Sequence, residues 1–165
     1  MVSMSLALSL IISFLALLAT FYQAHLQRVH NQKSVKPLAE INLRDRDGEM
    51  FVRIANNGVG PLIVDKVVFT KGDKQYEHIQ DCLDIDPKTY FHVEVGDTNK
   101  KVIIAGGFLE LFSNELNPKE SAEKIEMFQK QLSVLQLKVH GHDIYSNEIT
   151  VEKSLSWFAR HHSFA

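Results

Sequence analysis

The sequence predicts a mainly β protein: an antiparallel all-β sandwich with one inserted helix, carried behind an N-terminal transmembrane helix. Three observations predict it. An apolar run opens the chain, from Val2 to Tyr22, with no Asp, Glu, Lys, Arg or His in it. From Pro37 onward, short stretches of alternating apolar and polar residues are separated by Gly, Asn and Asp signals, the pattern of half-buried strands joined by tight turns. One later stretch carries helix-start chemistry and an apolar stripe, and strand–helix alternation of the parallel α/β kind is missing. The boundary falls at Pro37, with residues 1–36 forming the helix and its junction and residues 37–165 the sandwich domain.

The opening run suits a membrane. About twenty apolar residues in a helix cross the ~30 Å hydrocarbon layer. Leu6, Leu8, Leu10, Ile11, Ile12, Phe14, Leu15, Leu17, Leu18 and Phe21 together favour insertion by about 3–6 kcal/mol, less what the serines and Thr20 subtract. A cleaved signal peptide is the competing reading. It calls for a basic leader, a shorter apolar core and a small-x-small cleavage site, whereas Met1 to Ser5 carry no Lys or Arg and no clean site follows. Arg28, Lys33 and Lys36 follow the run, and positive charge stays cytoplasmic, so the expected orientation puts the domain in the cytoplasm.

Within the run, Ser5, Ser9 and Ser13 recur every four residues, and Ala16 and Thr20 continue the stripe. Small residues on one face let helices approach closely in lipid, which makes Ser5, Ser9, Ser13 and Thr20 a candidate helix–helix interface. Alternatively, each hydroxyl bonds back to its own helix. The helix is expected to continue through QAHLQRVH and to be capped at Asn31. Pro37 forces Lys36 toward an extended conformation.

The domain then reads element by element. Ile41 and Leu43 alternate with Asn42 and Arg44, Asp47-Gly48 signals a hairpin, and MFVRIA returns with Val52 and Ile54 on one face. Asn57, Gly58, Gly60 and Pro61 mark a turn. LIVDKVVF is a β-branched strand, followed by a turn at Lys71-Gly72-Asp73. QYEHIQDCLDI fits strand or short helix equally. YFHVEV and KVIIAGGFLELF read as strands, the second bent at Gly106-Gly107. Asn117 as N-cap, Pro118 at N1 and Glu120 at N3 open a helix whose stripe is Ala122, Ile125, Phe128 and Leu132. SVLQLKVH and NEITVEK are the last strands, and LSWFARHHSFA is a short amphipathic tail.

Composition excludes several functions. The 165 residues carry a net charge of −2 with the signs mixed, so no basic stripe calls for nucleic acid. One cysteine, Cys82, leaves no internal disulfide. His140 and His142 share a strand face with Asp143 beside them, but no further ligands complete a zinc site, and His161-His162 lie in the tail. Asp81, Asp84 and Asp86 do not match a calcium loop, whose sixth and twelfth positions would be Asp86 and His92. His78 and Cys82 lack the orienting group of an activated thiol. Gly106-Gly107 fits no phosphate-binding fingerprint. Trp157, Phe158 and Arg160 suit either an interfacial segment or a cap on the core. No catalytic, cofactor or metal site is therefore expected.

Two motifs carry a resemblance. His30-Asn31-Gln32-Lys33-Ser34-Val35-Lys36-Pro37 resembles the HN-x-x-SV-K/R-P junction that follows the anchor in a group of small bacterial single-pass membrane proteins. Asn57-Gly58-Val59-Gly60-Pro61 resembles the N-G-x-G-P turn of the same group, and Asp143-Ile144-Tyr145 resembles its D-I-Y segment. Departures are Leu62, where the group often has alanine, and a longer helix between the late strands. The resemblance implies an immunoglobulin-like sandwich on one transmembrane helix, and it supplies no mechanism. At the junction, His30, Asn31, Ser34 and Pro37 read as a rigid coupler, since Pro37 fixes φ and Ser34 can bond nearby backbone. A docking surface for a partner is the other reading.

The functional expectation is a non-enzymatic binding or scaffold module at the inner membrane, acting through a protein partner or through self-association of the helix. The periplasmic orientation stands as the alternative to the cytoplasmic one. Membrane lipid is the other expected partner. The alternative function is a sensor or effector subunit of a stress or defence system whose helix assembles with itself or a partner.

Overall fold

The computed structural model describes residues 2–46, 48–96, 98–115 and 122–161. The chain divides into two compact units, Met1–Val35 and Lys36–Ala165.

The first unit is one helix, α1 (Val2–Ser34). At 1.5 Å per residue its 33 residues extend about 50 Å. It is long and apolar enough to cross a membrane, and none of its most apolar window is buried against protein. Leu, Ala and Met favour the helix. The hydroxyls of Ser9, Ser13 and Thr20 donate to the carbonyls of Ser5, Ser9 and Ala16, each at 2.8 Å. Asn31 does not end the helix as expected. The helix runs on to Ser34, whose hydroxyl donates to the His30 carbonyl at 2.8 Å. The stop comes from Pro37, which disfavours helical geometry at Lys36.

The second unit is built from antiparallel sheets. One sheet contains β1 (Ala39–Arg46), β2 (Glu49–Asn56), β5 (Phe91–His92) and β7 (Phe108–Glu115), ordered β1-β2-β7-β5. The other contains β3 (Leu62–Lys71), β4 (Lys74–Tyr76), β6 (Lys101–Ile103), β8 (Leu135–His142) and β9 (Glu148–Ser154), ordered β4-β3-β8-β9 with β6 also on β3. The alternation read from the sequence sets the faces. Met50, Val52 and Ile54 of β2 point inward, as do Leu135, Leu137 and Val139 of β8, and all join one core cluster. On β3 the inward phase switches from Leu62 and Val64 to Val67 and Phe69 because the register shifts between Val64 and Lys66. Such a bulge adds one residue and turns the later side chains over.

Two readings need correction, and one left open is decided. KVIIAGGFLELF is not one bent strand. It splits into β6 and β7, which belong to different sheets, and Gly106 at φ +70° makes the turn between them. YFHVEV pairs as a strand only at Phe91–His92, with one further backbone bond from the Val93 N–H to the Leu111 carbonyl at 3.3 Å. QYEHIQDCLDI contains the end of β4 and a 3-10 turn at Ile79–Asp81. At the first hairpin, Gly48 takes φ +79°, while Asp47 lies outside the described residues.

The helix α2 (Ala122–Ser133) sits between β7 and β8 in sequence. Its cap residues Asn117, Pro118 and Glu120 lie outside the described residues. Phe128 and Leu132 are fully buried, with the Phe128 ring edge-on to Tyr90 at 6.1 Å and beside Phe112 at 5.9 Å. Burying each such side chain is worth about 1.5–3 kcal/mol, so α2 is fixed by packing. After β9 a 3-10 segment, Leu155–His161, buries Leu155 and Phe158. Trp157 remains partly exposed, with the Arg160 guanidinium 3.4 Å from its ring centroid.

Candidate functional site

The register gathers four segments at one end of the β unit. Ala39 of β1 faces Asn56 of β2, Ala55 faces Phe108 of β7, Leu62 of β3 faces Ile103 of β6, and Ile63 faces His142 of β8. The chain therefore enters this unit, through Lys36, Pro37 and Leu38, at the same end as loops 57–61, 104–107 and 143–147. We call this the entry end.

Asn56 holds three of those segments together. Its side chain is fully buried. Oδ1 accepts from the N–H of Leu38 and of Gly58, each at 3.1 Å. Nδ2 donates to the carbonyls of Gly60 at 2.7 Å and Ile103 at 3.0 Å. The Asn56 backbone adds bonds with Gly106 and Gly107, both 2.9 Å. One amide thus uses both lone pairs and both protons to tie the chain entry, the β2–β3 loop and the β6–β7 loop.

The two motifs behind the resemblance meet here. Asn57 N–H donates to the Leu38 carbonyl at 2.8 Å and Val59 N–H to the Lys36 carbonyl at 3.3 Å. Pro37 is buried. A β-carbon on Gly58 would strike the backbone of Lys36, Pro37 and Leu38, so this glycine is required by close approach. Asn57 is exposed and its Nδ2 donates to Glu40 Oε2 at 2.6 Å. Gly60 is buried and Pro61 half-buried. His30, Asn31 and Ser34 of the junction motif belong to α1, where the Ser34 hydroxyl also lies 3.3 Å from His30 Nδ1.

The β8–β9 turn is built on a buried carboxylate. Asp143 Oδ1 accepts from the N–H of Tyr145 and Asn147 at 2.8 and 2.9 Å, and Oδ2 from Asn147 Nδ2 at 2.8 Å. Burial pushes this carboxyl up, but the bonds from Asn147 and Tyr145 outweigh it and hold the group below the usual carboxylate range. Nearby, Asp65 Oδ2 lies 2.6 Å from His142 Nδ1 and Oδ1 lies 2.7 Å from Lys100 Nζ. Burial again pushes the Asp65 carboxyl up, and the Lys100 and His142 contacts more than offset it, leaving it lowered.

The remaining chemical candidates are placed as structural groups. Cys82 is buried, its thiol facing the His78 carbonyl at 3.5 Å and not its ring. Burial and the Asp81 charge push the thiol up to about 11, the reverse of an activated nucleophile. Asp86 Oδ1 caps a short 3-10 turn by accepting from Lys88 N–H at 3.0 Å. His140 Nδ1 lies 3.3 Å from the Thr150 hydroxyl. Among the described residues no group of three His, Cys, Asp or Glu converges to hold a metal.

Sequence reasoning missed Asn56 and the outer face of the first sheet. There the Arg53 guanidinium lies 3.7 Å from the Phe51 ring centroid and 4.5 Å from that of Phe108, with Nε donating to Glu110 at 2.6 Å. The tandem Asn56-Asn57 ahead of Gly58 was the available sign of the first. The outward pair Phe51 and Arg53, two apart on a strand, was the sign of the second. No protein-family model matches this chain, and comparison with curated proteins gives no significant match.

Proposed function

We propose that the chain is a membrane-anchored, non-enzymatic binding module: an immunoglobulin-like sandwich held at a bacterial inner membrane by α1 and working through a protein partner. The observation that carries this reading is the surface of α1. Its apolar span leaves Leu10, Ile11, Ile12, Phe14 and Leu15 more than half exposed, a surface that lipid covers and water does not tolerate. The β unit meanwhile closes its own core, so the helix is not needed to complete the fold. The junction and N-G-x-G-P motifs serve as a coupler that fixes how the chain enters the first strand. The positive residues Arg28, Lys33 and Lys36 favour a cytoplasmic domain.

The partner-binding role rests on the outer sheet face. Phe51, Arg53, Phe108 and Glu110 form a stacked, ion-paired surface with Phe108 well exposed, and aromatic and Arg side chains dominate binding energy at interfaces. Two measurements test the reading. Carbonate-washed membranes should retain the full-length chain, and release of a shortened chain into the supernatant would refute the anchor. Capture of the tagged chain in mild detergent should bring down a defined partner that Arg53→Ala weakens. Retention of the partner at full yield would refute the assignment of this face.

A further inference from the structure

We propose that the partner of the outer face of the first sheet is a second copy of this chain, docked face to face about a two-fold axis that runs along the strands between β2 and β7. This rests on the partner-binding reading above and names the partner. Strand register sets out the face in rungs. Arg44 of β1, Phe51 of β2, Ser113 of β7 and Phe91 of β5 lie on one rung. Asn42, Arg53 and Glu110 lie on the next outward rung, and Ala55 faces Phe108 on the one after. Phe51, Arg53 and Ala55 alternate along β2 with Met50, Val52 and Ile54, which belong to the core.

The face carries both halves of one contact. On β2 the Arg53 guanidinium lies on the Phe51 ring, 3.7 Å from its centroid, and forms a cationic, aromatic knob. On β7 and β5, Phe91, Glu110, Ser113 and Glu115 line a depression of about 450 Å³. The small Ser113 leaves room beside the Phe91 ring, which is 53% exposed. This lining holds two carboxylates and no cation. Glu110 is bonded by Arg53 of its own chain. Glu115 faces Glu49 across the sheet, and Glu49 is already engaged by Arg44 and Arg53. Like charges opposite one another are unfavourable, so the socket gains from a further cation.

Symmetry selects a second copy as the occupant. An axis midway between β2 and β7 exchanges the two strands, so each knob is set over the other copy's socket, Phe51 over Ser113 and Arg53 over Glu110. The same operation sets Phe108 over Ala55 and Arg44 over Phe91, large over small and cation over ring. Glu49 falls over Glu115, a like-charged pair offset by the arginines that hold Glu49. Each contact then occurs twice, as in any closed two-fold dimer, and stacked sheets keep their strands roughly aligned, as this axis requires. A two-fold axis across the strands would set Phe51 over Arg53 and Ser113 over Glu110 and lose both matches. Three strands of eight residues and the short β5 span roughly 500 Å². That is below the ~800 Å² per partner of a standard interface, so the dimer is weak in dilute solution and fills where chains are concentrated in a membrane.

Charge exchange tests this on the full chain in phosphatidylcholine–phosphatidylglycerol vesicles. Donor and acceptor dyes are attached after Asp73→Cys, in an exposed turn, and energy transfer between chains is read. The buried Cys82 is checked to remain unlabelled, which also shows that each variant is folded. Transfer should exceed the level set by random proximity. Arg53→Glu alone and Glu110→Arg alone should each lower it severalfold, because each sets like charge over like. Mixing the two variants should restore it, because each chain then supplies the sign that the other lacks at both contacts. Transfer unchanged in the single variants assigns association to α1 and overturns the proposal. Transfer lost in the single variants and not regained on mixing overturns the two-fold pairing. Transfer at the random level in the unmodified chain overturns the second copy and leaves the capture test above to find a different protein on this face. Failure of that capture as well overturns the face itself.

Discussion

Replacing Asn56 by alanine should be among the most damaging polar substitutions in the chain. The side chain is fully buried and makes four hydrogen bonds, two accepted and two donated. A net hydrogen bond contributes about 1 kcal/mol, and a buried group left unpaired costs about 1–3 kcal/mol. The orphaned groups are not equally buried. The Gly60 and Ile103 carbonyls stay inside, whereas the Leu38 and Gly58 N–H groups lie at part-buried positions where water can reach them. Counting the two buried carbonyls near 1–1.5 kcal/mol each and the two N–H groups near 0.5 kcal/mol each gives a loss of about 3–4 kcal/mol. That is a large share of the roughly 5–15 kcal/mol that holds a domain folded. The assay is urea unfolding of the full chain in nonionic detergent, read by pulse proteolysis. With a slope of about 1–3 kcal/mol per molar urea, the midpoint should fall by roughly 1–4 M. Asn57→Ala is the matched control, because its one side-chain bond to Glu40 is exposed and is worth only a few tenths of a kcal/mol. If Asn56→Ala shifts the midpoint no further than Asn57→Ala, the amide is not the staple described and the loop cluster is held by its backbone bonds alone.

Other outcomes follow from the same structure. Gly58→Ala and Gly141→Ala place a methyl against rigid backbone, that of Lys36–Leu38 and that of Ile63, and should each cost about 1–3 kcal/mol. Gly72→Ala meets no atom within 4 Å and should cost about 1 kcal/mol from its left-handed backbone alone, so thermal midpoints should rank Gly72→Ala as the mildest. Asp65 and Asp143 have lowered folded-state pKa values. Their stabilisation is therefore present above the unfolded carboxylate value near 4 and is lost as pH falls through the lower folded value. Unfolding midpoints between about pH 5 and pH 2 should fall on the acid side, and Asp65→Asn with Asp143→Asn should flatten that slope. The Cys82 thiol should resist maleimide in the folded chain at pH 8 and react only after urea unfolding; fast labelling of the folded chain would contradict its placement in the core.

Local rules made much of the architecture legible in advance. The absence of charge from Val2 to Tyr22 is a composition fact, and a bilayer reads composition and length. The strands β1, β2 and β8 announced themselves because a side-chain period of two is visible in one dimension, as with Leu135, Leu137 and Val139, and β3 through its β-branched residues. The stripe of α2 was visible for the same reason at a period of 3.6. Boundaries were harder. Asn31 can cap a helix, but Gln32 and Lys33 favour continuing it, and the proline at 37 decided the stop.

Partnership between distant residues was beyond the reach of local pattern. A run such as KVIIAGGFLELF looks the same whether it bends within a sheet or crosses between two sheets, because its neighbours β3 and β2 are selected by long-range pairing. Asn56 looks like any turn asparagine until Leu38, 18 residues before it, and Ile103, 47 residues after it, arrive at its amide. The sequence by itself determined an apolar helix ahead of a β-rich unit and the faces its strands would bury, since these depend on residue type and spacing. Only the tertiary structure decided that Lys36–Leu38 and the N-G-x-G-P turn interlock around one buried amide. Hydrogen bonds and surface patches join residues close in space, and closeness in space is settled by the strand register of the whole fold.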